Sequence, residues 1–167
     1  ADIPLSLMAL SAWTAFEPFP LVTIPLFILA GQLMEHGGMS EKLVTISKKL
    51  VGAYKGGMGL VTVVACMFFA ALSGSGPATT AAIGSITIPA MKKEGYDSGF
   101  AGGIAAAAGA LGSMIPPSNL IIIFALVSDV SIPRLFFAWI DPGIVNCLML
   151  MVVLFVNSLK NNYVGAD

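Results

Sequence analysis

Apolar residues run along this chain in blocks, separated by short clusters of glycine, proline, serine and charge. Residues 3–19 are apolar but interrupted by Pro4, Glu17, Pro18 and Pro20. That pattern predicts a short interfacial helix with Trp13 and Phe16 at headgroup depth. Residues 21–34 are the first candidate for a full span; their flanks extend it to about 17 residues, near the shortest length that crosses a bilayer. Gly37-Gly38 then stops the helix. Residues 39–51 follow another rule: Glu41, Lys42, Lys48 and Lys49 alternate with Leu43, Val44, Ile46, Leu50 and Val51 at helical spacing. This predicts an amphipathic helix capped by Ser40, too short and too charged to span, lying in the interface plane. A solvated helix between spans is the plainer alternative.

Residues 58–72 form an apolar run that ends at Ser73-Gly74-Ser75-Gly76-Pro77, and residues 78–91 form a milder run ending at Lys92-Lys93-Glu94-Gly95-Tyr96-Asp97. Each run is about 14 residues, or ~21 Å of helix, against a hydrocarbon core of about 30 Å. Two short runs joined by an uncharged tip predict a re-entrant hairpin that enters and leaves by one face. Residues 98–115 are rich in glycine and alanine, as tightly packed membrane helices are. They break at Pro116-Pro117 and continue over 118–127, so both stretches read as one span interrupted near its middle. Residues 128–139 carry Asp129, Pro133 and Arg134 and predict an interfacial connection. Asp141-Pro142-Gly143 predicts a turn and helix start, and 144–159 a last span ending at Lys160.

Composition makes the solvent explicit. Hydrophobic residues are 57% of the chain and charged ones 10%, with a mean hydropathy of +0.91. A soluble domain carries about 25% charge, so this chain lacks the polar residues to cover a water-facing surface. The expected class is an all-α integral membrane protein. The net charge of -1 gives no basic footprint for nucleic acid. Placing Lys42, Lys48, Lys49 and Lys55 on the cytoplasmic side puts Lys92, Lys93 and Lys160 there too and leaves only Arg134 outside. Seven of the eight basic residues then share one side, as the positive-inside rule asks. Two complete spans over 58–91 give the same parity. Cys66 and Cys147 sit in apolar runs and read as small buried residues. His36 ends an apolar run beside Glu35 and reads as interfacial. The chain opens Ala-Asp-Ile without an initiator methionine and is expected to be a piece of a longer protein.

The chemistry is concentrated in the two uncharged breaks, 73–77 and 112–119. A break at membrane depth frees backbone N–H and C=O groups, and each one left unsatisfied in hydrocarbon costs several kcal/mol. Helix ends direct carbonyl oxygens into the gap, which suits a cation such as sodium, and the Ser73 and Ser75 hydroxyls can add ligands. A proline then opens the next helix at its first position, and the helix N-terminus suits an anion. Thr79 and Thr80 lie in that first turn on one side, Ser118 and Asn119 on the other. Neither break contains Asp, Glu, His or Lys. Sodium is therefore the better coupling ion than a proton, and no general base stands near Ser73 or Ser75 to support hydrolysis. The competing reading is that both breaks are structural kinks.

The run from Phe68 to Gly84, the segment Gly-Ser-Met-Ile-Pro-Pro-Ser-Asn at 112–119, and Ile-Pro-Leu-Phe-Ile-Leu-Ala-Gly at 24–31 resemble the large membrane subunit of TRAP transporters, the tripartite ATP-independent periplasmic family. The resemblance implies an elevator-type carrier of two inverted repeats, each with a re-entrant hairpin and a broken helix, of which this chain is most of the first. It implies three parts: a scaffold over 1–56, a transport part over 57–127, and a connection with the last span over 128–167. Carried over by position, a sodium site uses Ser73 and the backbone carbonyls of Gly112, Ile115 and Pro117, with Ser75 and Gly76 as close candidates. Pro77, Thr79, Thr80, Ser118 and Asn119 are expected beside the substrate. A second sodium site belongs to the second repeat. The implied partners are a small four-helix membrane subunit, a periplasmic substrate-binding protein, the rest of the large subunit and the bilayer; no nucleic acid and no organic cofactor are expected. The implied activity is sodium-driven import of small organic anions, such as dicarboxylates, sialic acid or other sugar acids, across a bacterial inner membrane in which the protein is multi-pass. A related carrier that works without a binding protein, and a purely structural membrane subunit, are the rival readings.

Overall fold

The computed structural model describes residues 5–16, 19–161 and 163. The breaks expected at Pro4, Glu17 and Pro18, and the side chains of Phe16 and Pro20, lie outside them. All regular structure among the described residues is helical: α1 Leu5–Phe16, α2 Phe19–His36, α3 Met39–Val51, α4 Gly57–Ser73, α5 Gly76–Lys93, α6 Ser98–Gly109, α7 Leu111–Met114, α8 Asn119–Ser128 and α9 Ile132–Asn161.

Helix α4 is the axis of the fold. Val61, Val63, Ala65, Cys66 and Ala70 along it are fully buried, and α3, α5, α6, α7 and α9 pack around it. Small residues on the neighbours permit this: Ala101, Ala105 and Ala108 of α6 are buried, and α3 buries Ser40, Val44 and Ser47. Helix α3 spans the expected residues, but Ser40 is not its cap. Gly38, in the left-handed region at φ 74°, takes that position. The Gly37-Gly38 turn feeds α3 so directly that Ser40 falls inside the first turn, on the buried stripe. Both cysteines are buried free thiols. His36 is exposed, its Nδ1 2.8 Å from the Gln32 carbonyl of the preceding turn.

The hairpin arms are longer than the apolar runs suggest, at 17 and 18 residues, or ~26 and ~27 Å. Lys92 and Lys93 join the last turn of α5, where cations complement the helix dipole. Pro77 stands second in α5 rather than first, because Ser75 is the N-cap and Gly76 opens the helix.

The interrupted span departs from expectation in one respect. Segments 98–114 and 119–128 form a bent pair, at 42° to each other. The prolines do not open α8, however. A residue before proline is pushed out of the helical region, so Ile115 is extended at φ −77°, ψ 123° and α7 ends at Met114. Ser118 becomes the N-cap and Asn119 the first residue of α8.

Two further expectations fail together. No interfacial connection and no turn at Asp141-Pro142-Gly143 separate a last span: α9 is one helix of 30 residues. Asp129 ends α8 in a left-handed conformation, and Val130 and Ser131 are the whole link. Pro133 is tolerated in the first turn. Pro142 lacks the N–H that would reach the Ala138 carbonyl, a loss that membrane helices absorb. Among the described residues α9 is the one single helix long and apolar enough to cross a bilayer.

Helix α9 also serves as a ruler. At its C-terminal end Ser158 meets Gly56 and Tyr96, and Tyr96 stacks on Tyr163 at 4.0 Å. The feet of the hairpin and the last turns of α9 are thus joined, gathering Lys55, Lys92, Lys93 and Lys160 at one end. Gly143 lies against Ile115 of the α7–α8 break, ~22 Å along the helix from Ser158, and Arg134 is ~36 Å away. The break therefore sits between the two charged ends.

Candidate functional site

The tip of the hairpin is built by its own sequence. Gly74 ends α4 with φ 59°, a conformation that costs glycine little and other residues more, and its N–H reaches the Ala70 carbonyl at 2.9 Å. Ser75 is extended and caps α5, its side chain accepting from the Ala78 N–H. Thr79, fully buried, donates its hydroxyl to the Ser75 carbonyl at 2.8 Å and lies 2.9 Å from Ser73 Oγ. A hydroxyl has one proton to give. With that of Thr79 spent on Ser75, Ser73 donates to Thr79; its oxygen accepts from the Ser75 N–H at 3.4 Å, and one lone pair remains for another ligand.

The second break is pressed onto this tip. A Cβ built on Gly112 lies 2.6 Å from both the Ser75 carbonyl oxygen and Thr79 Oγ1, so no larger residue fits there. A Cβ on Gly74 lies 2.7 Å from the Pro117 carbonyl oxygen and 2.7 Å from the Phe27 ring. The Asn119 N–H donates to the Gly74 carbonyl at 3.2 Å, across the two breaks. Ser118 Oγ, instead of capping α8, donates back to the Ser113 carbonyl at 2.9 Å. The C-terminal ends of α4 and α7 and the N-terminal ends of α5 and α8 consequently converge. Carbonyl oxygens and amide N–H groups from both breaks occupy one region, polar for cations on one side and for anions on the other.

The sequence-predicted residues separate into a front and a back. Ser73, Ser75 and Asn119 line a cavity of about 230 Å³. Gly76 and Gly112 are the points of close approach, Gly76 facing the Gly109 carbonyl, and the Pro117 carbonyl faces Gly74. Ile115 leans instead on Gly143 of α9. Thr79 and Ser118 are fully buried behind the cavity, Thr80 is turned to Gly109, and Pro77 is exposed on the outside of the tip.

Helix α2 supplies what the sequence reading missed. Gly31 approaches Ser73, a built Cβ lying 3.4 Å from the Ser73 Cα. Gln32 and Glu35 line the cavity opposite Ser73, Ser75 and Asn119. The signal was present as two polar residues three positions apart, hence on one helix face, following the small residue Gly31. Asn119 Oδ1 is buried without a hydrogen-bond partner. Among the described residues no group of three or more His, Cys, Asp or Glu side chains forms a metal site, and Glu35 is the one carboxylate on the wall of this cavity.

The family described as "Tripartite ATP-independent periplasmic transporter, DctM component" matches residues 1–167. The "Isethionate TRAP transporter permease protein DctMQ" of Oleidesulfovibrio alaskensis is 47% identical over 164 residues, 98% of this chain and 26% of that protein. The "C4-dicarboxylate TRAP transporter large permease protein DctM" of Vibrio cholerae is 40% identical over 163 residues, 97% of this chain and 36% of that protein. The "Sialic acid TRAP transporter permease protein SiaT" of Haemophilus influenzae is 38% identical over 149 residues, 89% of this chain and 24% of that protein. This chain thus spans about a quarter to a third of the length of these curated relatives.

Proposed function

The chain belongs to the DctM component family of tripartite ATP-independent periplasmic transporters, a family of transporters rather than enzymes, and from that premise we propose that it is most of the first repeat of the large membrane subunit of a sodium-coupled importer of small organic anions. The observation that carries the reading is the seating of the α4–α5 tip on the α7–α8 break, with the Asn119 N–H bonded to the Gly74 carbonyl. Sodium is held by Ser73 Oγ with the carbonyls of Gly112, Ile115 and Pro117, while Ser75 and Gly76 shape the tip. The anionic group of the substrate sits at the N-termini of α5 and α8, beside Asn119. Because Ser73 belongs to the tip and the other ligands to the break, an ion held there ties the two together. That is how sodium favours the conformation competent to bind substrate.

The architecture supports an elevator in which residues 57–127 move as the transport part. Residues 1–56 stay as scaffold, and 128–167, built on the single helix α9, leads out of the transport part. The hairpin is re-entrant: its feet lie at the end carrying Lys55, Lys92, Lys93 and Lys160, which faces the cytoplasm across a bacterial inner membrane, and its tip stops at the α7–α8 break between the two charged ends. Isethionate, C4-dicarboxylates and sialic acid, named for the relatives, define the substrate class as small organic acids. A periplasmic binding protein delivers the acid, a small four-helix membrane subunit completes the permease, and the second repeat supplies the other sodium site. The test is uptake by the full-length transporter in proteoliposomes, with its small subunit and binding protein. Uptake is expected to require an inward sodium gradient, and undiminished uptake without sodium contradicts the reading.

A further inference from the structure

We infer that Glu35 of α2 is a specificity-determining residue, selecting a small organic anion with its charge at one end and a hydrogen-bond donor, hydroxyl or ammonium, at the other, over dianions. The inference rests on the reading of the tip as the substrate site.

The cavity beside the tip is about 230 Å³. At ~30 Å³ for a water it is far too large for one bare ion, and it accommodates an organic acid of few heavy atoms. Its lining is dipolar. On one wall stand the N-terminal ends of α5 and α8, which attract negative charge. On the other stand Gln32 and Glu35, one turn apart on α2, with Glu35 half-buried. Glu35 is the one charged side chain among the described residues lining the cavity. An anionic group seated at the helix N-termini directs the rest of the ligand towards Glu35. A second carboxylate there meets a like charge, and a hydroxyl or ammonium finds a charged acceptor. The one charge in the lining therefore calls for a donor on the ligand and not for a second anion.

The experiment is equilibrium binding to the purified full-length permease with its small subunit in saturating sodium. The binding protein is omitted, so that its own selectivity is not read. The probes are 4-hydroxybutyrate and succinate, of equal chain length and different at one end only. Wild-type protein is expected to hold 4-hydroxybutyrate at least about tenfold more tightly, the low end for one hydrogen bond to a charged group. Glu35→Gln should shrink the ratio by about tenfold, and Glu35→Asp should preserve the preference. A wild type that favours succinate or holds neither probe, or a ratio unmoved by Glu35→Gln, overturns the inference. Ser73→Leu separates the premise. If it abolishes binding of both probes while Glu35→Gln leaves the ratio unchanged, the tip remains the site and only the role of Glu35 falls. If it binds both normally, the tip is not the site and both fall.

Discussion

The two breaks look alike in sequence and are stabilised in opposite ways. The hairpin tip closes on itself: Gly74 bonds back to Ala70, and Ser73, Ser75 and Thr79 bond to one another. The α7–α8 break does not. Its link is extended, its N-cap Ser118 makes no side-chain capping bond, and the first N–H of α8 goes to Gly74 of the tip. One break is self-sufficient and the other depends on it. In hydrocarbon a dependent break cannot stand alone, since its unsatisfied groups would cost several kcal/mol each. The tip is therefore a structural partner of the broken span as well as the candidate source of an ion ligand.

The sharpest way to break this dependence is Gly112→Val in the full-length transporter. Its side chain is driven into the Ser75 carbonyl and Thr79 Oγ1, both 2.6 Å from the built Cβ. Overpacking of this kind costs up to ~3 kcal/mol, enough to unseat the tip, so sodium-driven uptake should fall about 100-fold. Membrane insertion should persist, because valine makes the segment more apolar. Normal uptake at normal expression contradicts the proposed site.

How much of this was legible beforehand differs between the regions for a physical reason. Periodicity and glycine signals placed α3 and the tip, because local backbone preference decides both. The bounds of α5 and α8 and the continuity of α9 were missed. Charges such as Lys92 and Lys93 end a hydropathy run without ending a helix, and Pro142 interrupts hydrogen bonding without interrupting α9. The docking of α2 was invisible for another reason. Contacts such as Gly31 on Ser73 join residues about 40 positions apart, and no local pattern encodes them.

A smaller effect is expected from Thr79→Val, which keeps the shape of a fully buried residue and removes its hydroxyl. Ser73 loses its acceptor at 2.9 Å, and its hydroxyl turns to the longer bond with the Ser75 carbonyl at 3.4 Å, which redirects the lone pair offered to the ion. The lost hydrogen bonds cost about 1 kcal/mol each. The sodium concentration for half-maximal uptake should rise about tenfold with little change in the maximal rate. An unchanged sodium dependence would show that Ser73 is not a ligand, and the tip would then be only a structural brace.

The contrast in capping can be read directly by pairing Ser118→Ala with Ser75→Ala. Ser118 Oγ makes a 2.9 Å bond to Ser113 from a fully buried position, whereas the Ser75 cap to Ala78 is long, at 3.5 Å. Loss of the first should cost ~1 kcal/mol, or about fivefold in sodium affinity measured by uptake. Loss of the second should cost less. The reverse order would mean that the tip, not the Pro-Pro link, is the weaker of the two structures.

The smallest effect tests whether a proline in this chain marks a break at all. Pro142 sits within α9 as Pro116 and Pro117 sit in the link, yet α9 continues through it. At the link, Ile115 is held extended and the chain bends; at Pro142, Gly143 instead lies against Ile115, so the uninterrupted helix forms the wall behind the break. Pro142→Ala restores an N–H for the Ala138 carbonyl and removes a ring clash, changes that favour a straight helix. Thermal unfolding in detergent should therefore be unchanged or shifted upward, with sodium dependence of uptake intact. A tenfold fall in uptake at unchanged stability would show that α9 bends during transport. The third proline segment would then be a hinge, and the division between helices that break and helices that support would have to be redrawn around Gly143.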